Sequence, residues 1–304
     1  MSAGLTFISL LVVGAMLVTT EVNHSREQPP DPNGGARGAA RSAVWSDEFS
    51  GRRGRRPDPR KWSFETGYGW GDRELQSYTD RAANAALDGK GHLAITARRE
   101  RYTGPDMRTA NYTSARINSH HNFEFAYGTV EARIRVPRGR GLLPAFWALG
   151  SNLDTAGWPA AGEIDFMEVN GNEPFTVHGT LHGPRAGRRD YALEATRRTG
   201  APLGRGFHVY GVTWSPDRIA FRLDGAVYAV RTRSEVPGGA RWSFDRPFFL
   251  LLTLAVGPRW LGPPDARTPW PATMLVDWVR VRANRATFCP TVRVPELRAR
   301  CPGR

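Results

Sequence analysis

Gly162-Glu163-Ile164-Asp165-Phe166-Met167-Glu168-Val169 sets three carboxylates among apolar residues, and the way these eight residues fold decides the fold of the chain. On a helix, at about 100° per residue, Asp165 and Glu168 lie about 200° and 140° round from Glu163 and do not converge with it. On a regular strand Glu163 and Asp165 share a face, but Glu168 falls on the other one with Ile164 and Phe166. A lone carboxylate buried there is costly. One extra residue removes the conflict: a β-bulge near Met167 restores parity and returns Glu168 to the side of Glu163. The two Glu Cα atoms are then about 13 Å apart. Side chains leaning together bring the carboxyls near the ~5–5.5 Å of retaining glycoside hydrolysis. Asp165, between them, hydrogen-bonds one neighbour and holds its charge. Two carboxylates tuned by a third acid form an acid/base and nucleophile arrangement.

Outward from this segment the chain keeps the same texture, short apolar runs between turn residues with no long 3.6-residue period. Residues 92–98 and 128–136 alternate apolar and polar, as half-buried strands do. In 218–230, Asp224-Gly225 between two β-rich runs predicts a type I′ hairpin. Further strands are expected at 144–149, 163–169, 177–181, 207–214, 248–255 and 274–282. The fold class is therefore all-β, a sandwich or jelly roll, with no internal repeat.

Composition narrows the function classes. At 40% hydrophobic and 23% charged over 304 residues, the chain buries a sizeable core, and its 33 Gly and 23 Pro follow no period. Two cysteines, Cys289 and Cys301, exclude a disulfide scaffold and a Cys-based zinc module. The net charge of +13 rests on forty Arg against two Lys, and residues 280–304 alone carry +6 of it. No basic helix, zinc-finger spacing or base-stacking motif accompanies the Arg, so a nucleic-acid partner is not expected.

Residues 5–18 are an apolar run of fourteen, of signal-peptide length and shorter than the roughly 20 residues of a membrane-spanning helix. No Lys or Arg precedes the run and no small-x-small cleavage site follows it, which leaves an uncleaved anchor open. The expected organisation is a leader or anchor plus Pro/Gly/Arg-rich linker at 1–41, one domain at 42–285 and a basic tail at 286–304. Export suits a bridge between Cys289 and Cys301, a pairing the sequence leaves undecided.

The segment at 162–169 resembles the active-site signature of glycoside hydrolase family 16, in the bulged version of laminarinase-type endo-β-1,3-glucanases. The resemblance extends over some 240 residues. It takes in WSDEF at 45–49, RELQSYT at 73–79, YTSARI at 112–117 and FAYGTVEAR at 125–133. PAFWALG at 144–150, GWP at 157–159 and HGTLHGP at 178–184 flank the acids. FHVYGVTW at 207–214 and TMLVDWVRV at 273–281 complete it. It implies a β-jelly roll of two curved antiparallel sheets with an open cleft and a retaining mechanism. By the same resemblance Glu163 is the nucleophile, Glu168 the acid and base, and Asp165 the assisting acid.

Ten Trp suit sugar faces, which stack on aromatic rings. Trp147 and Trp158 match the family's cleft tryptophans, Trp70 and Trp260 lie in Gly-rich loops open to a cleft role, and Trp214 and Trp278 read as core or back-face residues. The resemblance places His182 beside the acids and leaves His178 a structural hydrogen bond. It also implies a structural calcium held by Glu48, the Gly91 carbonyl and Asp277, with oxygen donors that suit that ion. No catalytic cofactor is expected. Two departures from the family pattern stand out: Arg73 replaces an amide that contacts sugar, and Arg259 replaces a small polar residue. The expected function is secreted (or membrane-anchored) retaining endo-hydrolysis of β-1,3-glucan, or of mixed β-1,3/1,4 chains. The expected partner is the polysaccharide alone, acted on by a monomer without a stable membrane partner. The alternatives are a non-catalytic β-glucan-binding protein and a hydrolase of anionic galactans.

Overall fold

The computed structural model describes residues 44–187 and 189–283, and the main chain of Cys289–Pro290. Among these residues twenty strands form two sheets of eleven and nine, which confirms the all-β sandwich. The expected hairpin forms at Arg218–Leu223 and Ala226–Thr232, with Asp224 and Gly225 at φ 49° and 81°. Both angles are positive, as a type I′ turn requires.

One sheet runs in the order Ala226–Thr232, Arg218–Leu223, His208–Ser215, Gly128–Arg135, Ala272–Arg282, Leu93–Thr103, Thr109–Ser114, and then two short strands. The other carries the acids and runs Arg189–Arg198, Thr176–Arg185, Glu163–Glu168, Leu142–Gly150, Phe248–Val256, Arg116–Asn118, Ser63–Glu65. Side chains alternate across each strand. Leu93, Ile95 and Ala97 on one sheet, and Phe146, Ala148, Leu250, Leu252 and Leu254 on the other, fill a common core between them. Trp214 is buried there, its indole N–H donating to the Phe244 carbonyl at 3.0 Å.

The central strand Phe248–Val256 is buried along its whole length. Its core-facing residues alternate with Phe249 and Leu251, which join Leu149 in a separate cluster with Trp147 and Leu153 packed against it. That second cluster lies on the sheet's open face and gives it an apolar floor. The leader, the basic tail and the cysteine pairing lie outside the described residues, apart from the Cys289 main chain. Among the described residues no helix is long and apolar enough to cross a membrane.

The turn into the acid-bearing strand depends on one close approach. Gly150 donates its N–H to the Gly162 carbonyl at 3.1 Å, and a Cβ on Gly150 would sit 2.1 Å from the Ala161 carbonyl oxygen. Gly150→Ala therefore pushes the 151–162 loop off the strand. A fall in the thermal midpoint of about 5 °C is expected by calorimetry, from overpacking against backbone.

Candidate active site

The bulge is where parity requires it. On the Thr176–Arg185 side, Asp165 pairs with Thr180 and Glu168 with His178, so Phe166 and Met167 together span the width of Gly179. On the other side the register shifts between Phe146, which faces Met167, and Trp147, which faces Asp165. Phe166 and Met167 both enter the core fully buried, and Glu163 and Glu168 emerge half-buried on the opposite face. Directly paired residues share a face, so three rows can be read across the sheet. His182, Glu163, Leu149 and Phe249 form one, and Thr180, Asp165, Trp147, Leu251 and Asn118 the next. His178, Glu168, Ala145, Thr253 and Arg116 form the third.

The three acids are held differently. Glu163 Oε2 accepts the indole N–H of Trp158 at 2.8 Å, and Trp158 is itself 52% exposed. Asp165, only 3% exposed, hydrogen-bonds Glu163 and lies 3.5 Å from His182 Nε2. The other nitrogen of His182 meets Asp190 Oδ2 at 3.1 Å, which sets the ring's orientation. Burial, then the charges of Glu163 and Glu168, drive the Asp165 carboxyl well above the usual range, so it keeps its proton and donates to Glu163. Burial, followed by the charges of Glu163 and Glu74, pushes Glu168 up to about 7. A carboxylic acid that holds its proton near neutrality is the group a general acid must be.

The aromatic residues divide as follows. Trp147 lies on the floor beside Asp165, and the Arg116 guanidinium sits over its ring at 4.5 Å and over that of Trp70 at 4.8 Å. Arg116 is buried and ion-paired with Glu65, which also accepts from Asn118 Nδ2 at 2.6 Å. Trp147 and Trp70 thus grip a cation, and Trp158, tied to Glu163, exposes about half its surface at the rim. Trp260, 53% exposed, sits on a turn fastened to the 69–74 loop: its N–H and the Arg259 guanidinium both reach Asp72, at 3.3 and 3.5 Å. Arg73 is exposed at φ 57°, and its guanidinium takes no partner among the described residues. His178 faces Glu168 across the strands, 3.7 Å from Glu173 Oε2.

Reading the sequence singled out neither Arg116 nor Glu74 nor Asp190. Arg116 and Glu74 lay within quoted blocks, but their roles depend on partners distant in the chain. Glu74 is held by Gln76 Nε2 at 2.6 Å, and burial raises its carboxyl too.

Two of the expected calcium donors hold ion pairs in this structure. Both Glu48 carboxylate oxygens accept from Arg280, at 3.0 and 2.8 Å. Asp277 gives Oδ2 to Arg133. Gly91, at φ 90°, precedes by two residues Leu93, which pairs with Val276 beside Asp277. Carboxylates and a main-chain carbonyl are the oxygen donors that a hard cation takes.

A family model described as "Glycosyl hydrolases family 16" matches residues 76–280. A "Beta-glucanase" of Rhodothermus marinus is 40% identical over 255 residues, which cover 78% of this chain and 84% of the relative. "Glucan endo-1,3-beta-glucosidase A1" of Niallia circulans is 34% identical over 80% of this chain, and the match spans 38% of that longer protein. Among solved structures, the endo-beta-1,3-glucanase from Pyrococcus furiosus superimposes with a TM-score of 0.72 at 44% identity, over 79% of this chain and 93% of that one.

The raised carboxyl of Glu168 has a cost in stability. The folded state binds the proton more tightly than the unfolded chain, so stability falls as pH rises from the ordinary Glu value to about 7. Above that the loss is complete. Glu168→Gln removes the titration: at pH 8 its thermal midpoint is expected about 5 °C above wild type, with no gain at pH 4.

Proposed function

The chain belongs to glycosyl hydrolase family 16, and on that premise we propose that it is a retaining endo-hydrolase of β-1,3-glucan, extending to mixed β-1,3/1,4 chains. It is a glycoside hydrolase similar to endo-β-1,3-glucanases. The observation that carries the finer reading is the bulge at Phe166–Met167, which puts Glu163 and Glu168 on one open face with Asp165 between them.

In the first step the Glu163 carboxylate attacks the anomeric carbon as the glycosidic C–O bond breaks. Glu168 passes its proton to the departing oxygen. The indole N–H of Trp158 on Oε2 holds the Glu163 carboxylate in orientation for the attack. In the second step Glu168, now a carboxylate, takes a proton from water. That water attacks the anomeric carbon and releases Glu163 with net retention. Trp158 and Trp260, each about half exposed at the rim, suit the flat faces of glucose rings. Asp72 pairs with Arg259 and offsets part of the positive charge that Arg73 and Arg259 would present to an anionic chain. That balance favours a neutral glucan over a sulfated galactan. The three acids and their proton distribution argue against a purely binding role. We further infer that the enzyme acts outside the cell, from the apolar run at 5–18 and a substrate that is a polymer.

Glu163→Gln should abolish hydrolysis of laminarin and of aryl β-glucosides alike, by about 10⁴-fold or more. Glu168→Gln should lose about 10²–10⁴-fold on laminarin but keep the first step on an aryl glycoside whose leaving group needs no proton. Wild-type kcat/KM should fall as pH rises through about 7, as Glu168 deprotonates. Activity on laminarin that stays near the wild-type level after either change rules the assignment out, and turnover of agarose or carrageenan in place of laminarin redirects the substrate.

For calcium we propose a purely structural site built from Glu48, the Gly91 carbonyl and Asp277, which would tie the loop before Leu93 to the long strand Ala272–Arg282. Chelation should lower the thermal midpoint by a few degrees and calcium should restore it, with the effect lost in Asp277→Asn. Identical midpoints with and without chelator would count against the site.

A further inference from the structure

Two groups of metal-type side chains converge among the described residues. One, Glu163 with Asp165 and His182, is the active site. The other is His120, His121 and Asp154, whose ligand atoms all lie within 4.8 Å of one another. Hydrolysis leaves this second group without a task. His120 and His121 lie on the turn between Arg116–Asn118 and Glu124–Ala126, and Asp154 lies in the short helix Leu153–Ala156 that follows Leu142–Gly150. More than thirty residues separate them in the chain, so only the fold brings them together.

The two imidazoles lie side by side, with His120 the more firmly held and His121 the one that must turn to meet an ion. Their rings stack at 3.8 Å and 20°, and His120 also stacks on Phe249 at 4.2 Å and 18°. His121 sits at φ 64°, with its N–H donating to Glu124 Oε1 at 3.3 Å. His120 Nε2 is buried without a hydrogen-bond partner, 3.7 Å from that same carboxylate oxygen. A buried ring nitrogen with no partner is a cost that a bound cation would remove.

Two imidazoles and a carboxylate are the donors of zinc and similar borderline divalent ions, whereas calcium and magnesium take oxygen. Tetrahedral zinc, about 2.0–2.1 Å from each ligand, needs ligand atoms roughly 3.4 Å apart. His121 and Asp154 are exposed and free to close that gap by rotation, with water as the fourth ligand. We propose that a zinc-class divalent cation binds His120, His121 and Asp154 and clasps the 119–123 turn to the 153–156 helix at one end of the open face. Asp154 lies four residues before Trp158, whose indole holds Glu163. The clasp therefore steadies the wall that carries the nucleophile's hydrogen-bond donor. It touches no reacting atom, and it stands whether or not the substrate is a β-1,3-glucan.

The test is zinc chloride titrated into the full chain after chelator treatment and desalting, read by calorimetry and by thermal midpoint. Wild type should bind one zinc with a Kd on the order of micromolar or tighter, and gain about 5 °C at a hundredfold excess over Kd. Asp154→Asn and His121→Asn are surface changes, and Asn tolerates the positive φ at 121. Both should fold and hydrolyse as wild type does without metal, yet lose the zinc-induced shift. Glu163→Gln should keep it. An absence of micromolar binding overturns the proposal, as does binding lost in Glu163→Gln but kept in His121→Asn, which would place the ion on the catalytic acids.

Discussion

The strict two-residue alternation of a β-strand is the constraint on which this protein turns. Six residues from Glu163 to Glu168 cannot place both ends on one face unless the strand takes one residue out of step. Phe166 and Met167 do so together, and both are absorbed by the core. The packing energy of two large apolar side chains thus maintains an irregularity that serves only the chemistry on the opposite side. Partners on both sides leave room for it: Gly179 has no side chain opposite the bulge, and the register of Leu142–Gly150 slips by one residue at Trp147.

Once three carboxylates share one face, electrostatics assigns the roles. Crowding and burial cannot allow all three to ionise, so protons collect on Asp165 and, near neutrality, on Glu168. Glu163 is the one acid with an indole N–H as donor, from the exposed Trp158. Glu74 adds its own charge from the far side and helps keep Glu168 protonated. The nucleophile and the acid therefore differ by environment while sharing a chemical type.

Much of this was legible in the chain. The helix and strand alternatives for 162–169 could be separated by angle and parity alone, and the longer strands followed from alternation, the Asp224-Gly225 turn among them. Strands of two or three residues, such as Trp45–Asp47 and Ser63–Glu65, carry no period to detect. Arg189–Arg198 escaped notice for another reason: it is a charged edge strand, with the composition that guards an edge and resembles a loop. Arg116 between two tryptophans, and Asp190 behind His182, depend on contacts between separate strands and loops. No local pattern announces them. The pairing of the Glu48 carboxylate with Arg280, 232 residues away, is of the same kind.

Trapping the glycosyl-enzyme would test this account most directly. A 2-deoxy-2-fluoro laminaribioside with an activated leaving group should inactivate the enzyme, and peptide mass mapping should find a single sugar ester on Glu163. An adduct on Glu168, or turnover of laminarin with inversion at the anomeric carbon, would contradict it.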